Sequence, residues 1–188
     1  MKMVYLLLLV SIGATPSIDA EQKPVFEQKH IDLNKDNIKD LVTVVKTSLD
    51  NRVIILEEMS PAANNSKKKT GNLIATINVG KNNTSFDDVE VNRAGGLSIF
   101  SGCDVCGRET MITEYKVAYR NGNYIVAGYT LNKADRQTAS FSSCDVNLLT
   151  GDTELTLNDE KVRKKGSDRY FNVAQLTASY KPKVCEEV

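Results

Sequence analysis

Nine residues near the start of the chain, Asp32-Leu33-Asn34-Lys35-Asp36-Asn37-Ile38-Lys39-Asp40, place side-chain oxygens at positions 1, 3, 5 and 9 of a short loop. Odd-numbered positions of a turning loop point inward together, and calcium takes roughly six to eight hard oxygen ligands. Asp32, Asn34, Asp36 and Asp40 are therefore candidate calcium ligands, with the backbone carbonyl of Ile38 as a further donor. The ion would serve structure rather than catalysis. Asp and Asn also favour turns for purely local reasons, so the same residues read as a solvated turn as well. An EF-hand would end on a bidentate Glu where this chain has Thr43.

The second chemical feature is the set of four cysteines, Cys103, Cys106, Cys144 and Cys185. In an oxidising compartment they are most simply two disulfides. The expected pairs are Cys103–Cys106, within a turn-like loop, and Cys144–Cys185, tying the C-terminal tail to the sheet. Cys103-Asp104-Val105-Cys106 has two sharper readings. A redox motif would normally open a helix in a βαβ setting, for which the flanking sequence gives no sign. A zinc site would need a second pair of soft ligands, also missing from the pattern.

Catalytic constellations are scarce. His30 is the single histidine of the chain, so any Ser-His or Cys-His site would have to use it. No G-x-S-x-G elbow and no Gly-rich phosphate loop occurs in the sequence. A carboxylate hydrolase would need two acids among Glu57, Glu58, Asp87, Asp88 and Glu90 to converge. The chain has no Trp, the commonest sugar-stacking platform.

The elements that would position these residues begin with an address. Met1-Lys2-Met3, an apolar run from Val4 to Val10 and small residues before a polar stretch are the parts of a cleavable signal peptide. The run is too short to span a bilayer, and the expected cut follows Ala20. Residues 1–20 are thus read as signal and 21–188 as one β-rich domain, periplasmic or secreted. Removing the first 20 of 188 residues leaves 168, enough for a hydrophobic core. The whole chain carries 24 basic and 24 acidic residues, a balance that argues against nucleic acid or an anionic membrane as partner. Another protein remains the expected partner. Two basic runs, Lys67-Lys68-Lys69 and Lys161 to Arg169, read as solvated loops.

Most of the remaining sequence alternates apolar and polar residues at period two. Leu41–Lys46 and Arg52–Leu56 read as a hairpin through Leu49-Asp50-Asn51, followed by strands over 72–79, 89–92 and 97–100. Thr113–Arg120 and Asn123–Leu131 flank Asn121-Gly122, a dipeptide suited to the positive φ angles of a type I′ turn. Alternation puts Tyr115, Val117 and Tyr119 on one face, and Ile125, Ala127 and Tyr129 on one face of the next strand. A further pair, 139–149 and 154–157, turns through Thr150-Gly151-Asp152, while Ser60–Thr70 reads as a loop. Ser167–Tyr180 reads as a short helix or another strand. The expectation is an all-β fold, an antiparallel meander forming one twisted sheet or a two-sheet domain, sandwich or partial-propeller-like.

The spacing D-x-N-x-D-x-x-x-D before an apolar strand resembles the calcium loops of FG-GAP and VCBS repeats in secreted β proteins. That resemblance implies ligand roles for Asp32, Asn34, Asp36 and Asp40. The family's glycine after the third ligand is here Asn37, and the motif occurs once, so a full propeller is not implied. Tyr119 to Tyr129 and Asp145 to Gly151 are similar to a pattern in uncharacterised secreted bacterial proteins that pair such a loop with a β meander. The likeness covers most of residues 30 to 157 and implies no activity. The functional expectation is a non-catalytic exported domain with a binding or structural role. The alternatives are a periplasmic inhibitor or immunity protein against a toxin or hydrolase, and a small carboxylate- or metal-dependent hydrolase.

Overall fold

The computed structural model describes residues 25–47, 51–60, 70–84, 86–104, 107–186 and 188. The signal segment 1–20, the Lys67–Lys69 run and Cys106 lie outside these. Four strands, β1 (Val25–Ile31), β2 (Asp40–Lys46), β3 (Asn51–Ser60) and β4 (Thr70–Asn83), form one antiparallel arm. A second arm contains β5 (Val89–Val91), β6 (Leu97–Cys103), β7 (Glu109–Arg120), β8 (Asn123–Asp135), β9 (Ser140–Asn147), β10 (Asp152–Leu157) and β11 (Glu160–Lys165). The two-residue strand β12 (Phe171–Asn172) pairs with β8. Among the described residues these twelve strands make one open mixed sheet that is not closed into a barrel.

The arms meet where the end of β4 runs parallel to β6, with Asn82 opposite Gly102 and Asn83 opposite Cys103. This short junction is reinforced by a buried ion pair. Arg52 Nε donates to Asp88 Oδ2 at 3.2 Å, and Asn82 Nδ2 donates to Asp88 Oδ1 at 2.8 Å. A buried guanidinium needs such a paired, hydrogen-bonded counterion to offset its lost hydration. Period-two alternation supplies a common core: Val42 and Val44 from β2, Ile54 and Leu56 from β3, and Tyr115, Val117, Tyr129 and Leu131 from β7 and β8. The all-β expectation holds.

Sequence and structure differ at β1, a strand over Val25–Ile31 that alternation does not mark, and at four further places. The face of β8 expected from Ile125, Ala127 and Tyr129 changes midway, because a bulge shifts the register between Lys116 and Val117. Val117 opposes Val126 while Lys116 opposes Gly128, so Tyr124 and Val126 enter the core and Ala127 becomes the extra residue. The Lys161–Arg169 run is not simply loop, since its first five residues belong to the edge strand β11. Lys161 reaches Glu154 at 2.7 Å and Lys165 reaches Asp152 at 2.6 Å, so the charges are paired across the strands. Charged side chains of this kind also protect a sheet edge from pairing with another chain. Ser60 and Thr70 belong to strands β3 and β4, and residues 61–69 lie outside the described set. Ser167–Tyr180 forms no long element; it holds β12 and a single 3-10 turn, Val173–Gln175. The Asn121-Gly122 turn is as expected, with φ of 51° and 77°.

The C-terminal segment is a strap over the core. Val173, Leu176 and Cys185 are buried, and Tyr115 donates its hydroxyl toward the carbonyls of Ala178 at 3.4 Å and Tyr180 at 3.3 Å. The Cys144–Cys185 disulfide fixes the strap to β9. Cys103 is also disulfide-bonded, and its expected partner Cys106 falls outside the described residues. No helix among the described residues is long and apolar enough to cross a membrane.

Candidate functional site

The acidic loop joins β1 to β2 and folds on its own side chains. Asp32 Oδ1 accepts the Asp36 N–H at 3.2 Å and its Oδ2 accepts the Asn37 N–H at 3.0 Å. Asn34 Oδ1 shares the Asp36 N–H at 3.1 Å, and Asp36 Oδ1 accepts the Ile38 N–H at 2.7 Å. These are Asx-type turns, in which a short polar side chain stands in for a backbone acceptor. Lys35 and Asn37 adopt left-handed φ of 63° and 68°. Asn37 therefore takes the conformation for which a glycine would otherwise serve. The Asn34 amide donates to Asp36 Oδ2 at 3.1 Å and to Glu58 Oε1 of β3 at 2.8 Å, which ties the loop to its neighbouring strand.

Asp40, the ninth residue of the loop, is fully buried. Its Oδ2 accepts the Leu33 N–H at 3.0 Å and the Tyr124 hydroxyl at 3.3 Å, and its Oδ1 accepts the Met59 N–H at 3.2 Å. One carboxylate thus closes the loop, holds β3 and reaches β8 in the other arm. Burial raises the pKa of Asp40 above the ordinary aspartate value, against the lowering effect of the Leu33 and Met59 amides. Burial and the neighbouring Asp40 and Glu58 carboxylates push the Tyr124 phenol up as well, so it stays a neutral donor. Among the described residues no three His, Cys, Asp or Glu side chains are gathered as metal ligands. A cation at this loop would rely on Asp32 and Asp36 together with the Asn34 amide oxygen and main-chain carbonyls, an all-oxygen set of the kind calcium accepts.

The five acids considered for a hydrolytic pair go to different places. Asp88 serves the junction with Arg52, Asp87 meets Lys29 at 2.8 Å, and Glu58 meets Asn34. Glu57 sits opposite Leu41 on β3, whereas Glu90 lines a groove on the second arm. His30 is exposed on β1, opposite Leu41.

That groove is the site that sequence reading missed. It occupies about 810 Å³ on the face of β6 to β9 turned away from the core. Two cross-strand rows form its floor. Ser98, Lys116, Gly128 and Asn147 make one, and Phe100, Glu114, Thr130 and Asp145 the other. Lys116 lies over Gly128, where an added Cβ would come within 3.1 Å of the lysine chain. Its Nζ is 2.9 Å from Asp145 and 4.0 Å from Glu114. Ser98, buried beneath, donates to Glu114 Oε1 at 2.5 Å, and Thr130 donates to Asp145 Oδ2 at 2.7 Å. The turn after β5 walls one side. There Asn92 accepts the Ala94 and Gly96 N–H groups, and Gly96 lies so close to the Val117 carbonyl that a Cβ would stand 2.2 Å from it. The acidic loop touches this rim, with Leu33 and Lys35 among the lining residues and Lys35 packed near Gly95.

The groove residues alternate correctly in sequence but carry no motif, because they become neighbours only through strand register. No family model, curated protein or solved structure matches the chain.

Proposed function

We propose that this is an exported, non-catalytic β-domain protein that binds another protein through the groove on β6 to β9, with its acidic loop reinforced by calcium. The observation that carries the reading is the groove itself. It has the volume of a ligand site, a polar floor held in place by cross-strand contacts, and walls supplied by two separate loops. The Cys144–Cys185 disulfide supports an oxidising destination. The sharply turned loop, with Asn37 left-handed in the position of the family's glycine, supports the calcium part. An inhibitor or immunity protein would use such a groove to seat a loop of its target toxin or hydrolase. A carboxylate hydrolase is the second reading, favoured by Glu114 and Asp145 sharing one floor.

Filling the groove tests the reading. Ala118→Arg projects a long side chain from the lining. It should abolish retention of an extracytoplasmic partner that the immobilised wild-type protein holds, while leaving the melting temperature within a few degrees. Equal retention by both proteins would remove the groove from the account. Adding a chelator to the wild-type protein should lower its melting temperature, and an unchanged melt would remove calcium. Turnover of an ester or glycoside substrate that disappears in Asp145→Asn would favour the hydrolase.

A further inference from the structure

We propose that the groove recognises a cationic side chain of its protein partner, arginine in preference to lysine, seated on Asp145 and Glu114. This rests on the reading of the groove as a binding site and adds the chemistry of what enters it. The floor carries two carboxylates and one ammonium. Lys116 lies between Glu114 and Asp145 and offsets only one of the two negative charges. Asp145 commits Oδ2 to Lys116 and Thr130, and its Oδ1 has no hydrogen-bond partner among the described residues. The side chain of Asp145 is 53% exposed and lines the groove. On Glu114, Oε1 is taken by Ser98, while Oε2 has only the 4.0 Å approach of Lys116. One acceptor on each carboxylate is therefore left for an incoming donor.

The neighbouring acid does not share this surplus. Glu154 stands opposite Asp145 on β10, but Lys161 and Arg163 already hold it at 2.7 and 3.4 Å. The rim cations Lys35 and Arg93 belong to other elements, the acidic loop and the turn after β5. The aromatic ring of Phe100 also lines the groove. Phe100 is the cross-strand neighbour of Glu114, and Phe86 stacks on it at 5.0 Å with 43% of its own surface exposed. Carboxylate acceptors beside an aromatic surface suit a guanidinium, which forks onto oxygens and stacks on rings, better than a compact ammonium.

The test titrates the full-length mature protein with blocked tripeptides, glycine–X–glycine, where X is arginine, lysine, citrulline or glutamate. Backbone amide shifts of residues 98, 114, 116, 128 and 145 are read at peptide concentrations well above the millimolar range of single-contact ligands. The arginine peptide should move these amides together. Its affinity should fall about tenfold in Asp145→Asn and in Glu114→Gln, and rise several-fold in Lys116→Met, which removes the internal competitor. Both carboxamide variants keep an oxygen for Thr130 and Ser98, so unchanged melting curves will separate lost binding from lost folding. Equal shifts with the neutral citrulline peptide would overturn the cationic proposal and leave the groove as a site. Shifts with the glutamate peptide alone would do the same. No groove shifts with any of the four peptides would overturn the proposal, and partner retention that also survives Ala118→Arg would take the groove reading with it.

Discussion

The acidic loop and the groove floor both draw on Asp, Asn and Lys, yet they spend those groups in opposite ways. In the loop, Asp32, Asn34 and Asp36 turn back on backbone N–H groups within five residues of themselves. On the floor, Ser98, Glu114, Lys116 and Asp145 come from three strands and bond to one another across the sheet, leaving acceptors over. Local polar pairing makes a rigid corner, whereas cross-strand pairing makes a surface with chemistry to offer. Asp40 belongs to the loop by sequence but behaves like neither, because its three donors come from the loop, from β3 and from β8.

The largest expected effect is therefore at Asp40. Asp40→Ala leaves the buried N–H groups of Leu33 and Met59 and the Tyr124 hydroxyl without their acceptor. An unmade buried hydrogen bond costs about 1–3 kcal/mol, so the total should reach about 3 kcal/mol or more by denaturant unfolding. Asp40→Asn keeps the volume but turns an amide nitrogen toward one of the two N–H donors, at a cost of about 1–3 kcal/mol. The pH dependence supplies a second readout. Since burial raises the folded pKa of Asp40, the native state takes up a proton before the unfolded chain as pH falls. This group's contribution then favours folding in full below the ordinary aspartate value of about 3.9, and is lost as pH rises through the folded pKa. Asp40→Asn should lack that slope. A loss under about 0.5 kcal/mol in Asp40→Ala would show that the loop does not depend on the core and would dissolve the distinction drawn for Asp40.

The same division explains how much was legible in the sequence. Strands β2, β7, β8 and β10 were marked by alternation, and the turn at Asn121-Gly122 by the need for positive φ. The loop was visible because its oxygens are close in sequence. The groove was not, since Glu114 and Asp145 are separated by 31 residues and meet only through the Glu114–Thr130 and Thr130–Asp145 pairings. The bulge at Ala127 was hidden for a related reason. Tyr124, Ile125 and Val126 are all apolar, so composition alone does not say which of them face the core. β1 and β11 were missed because their polar or charged residues break the alternation that marks a half-buried strand. Nothing in the sequence links Arg52 to Asp88, because they meet only where the chain brings β3 beside the segment before β5.

A middle-sized effect is expected at the strap. Removing the Cys144–Cys185 bond by the double substitution Cys144→Ser and Cys185→Ser frees a tail bridged across 41 residues. The loss should be about 2–4 kcal/mol, read as a lower denaturation midpoint. Burial holds the phenol of Tyr180 up to about 12, so it stays neutral and packed on Phe171 and Tyr129 throughout the accessible pH range. Tyr115 and Tyr180 would still hold part of the segment through packing, so exchange of backbone amides should rise first near Cys185 and only later in β8. Simultaneous loosening of both arms would mean that the strap, rather than Asp40, unites them.

The smallest effect tests whether loop and groove are independent. Lys35 holds φ of 63° without the freedom of glycine, and its side-chain end would lie 3.8 Å from a Cβ placed on Gly95. A left-handed L-residue costs about 1–2 kcal/mol, while glycine adds about 0.5–1 kcal/mol of entropy lost on folding. Lys35→Gly should therefore stabilise by a few tenths of a kcal/mol up to about 1 kcal/mol, if backbone strain is all that Lys35 contributes. Asn37→Gly should be close to neutral, because asparagine already tolerates its φ of 68°. A destabilisation above about 1 kcal/mol in Lys35→Gly alone would show that the lysine stem packs productively on the turn after β5. In that case the corner also sets the rim, and an ion held by Asp32 and Asp36 would reach the groove through Lys35.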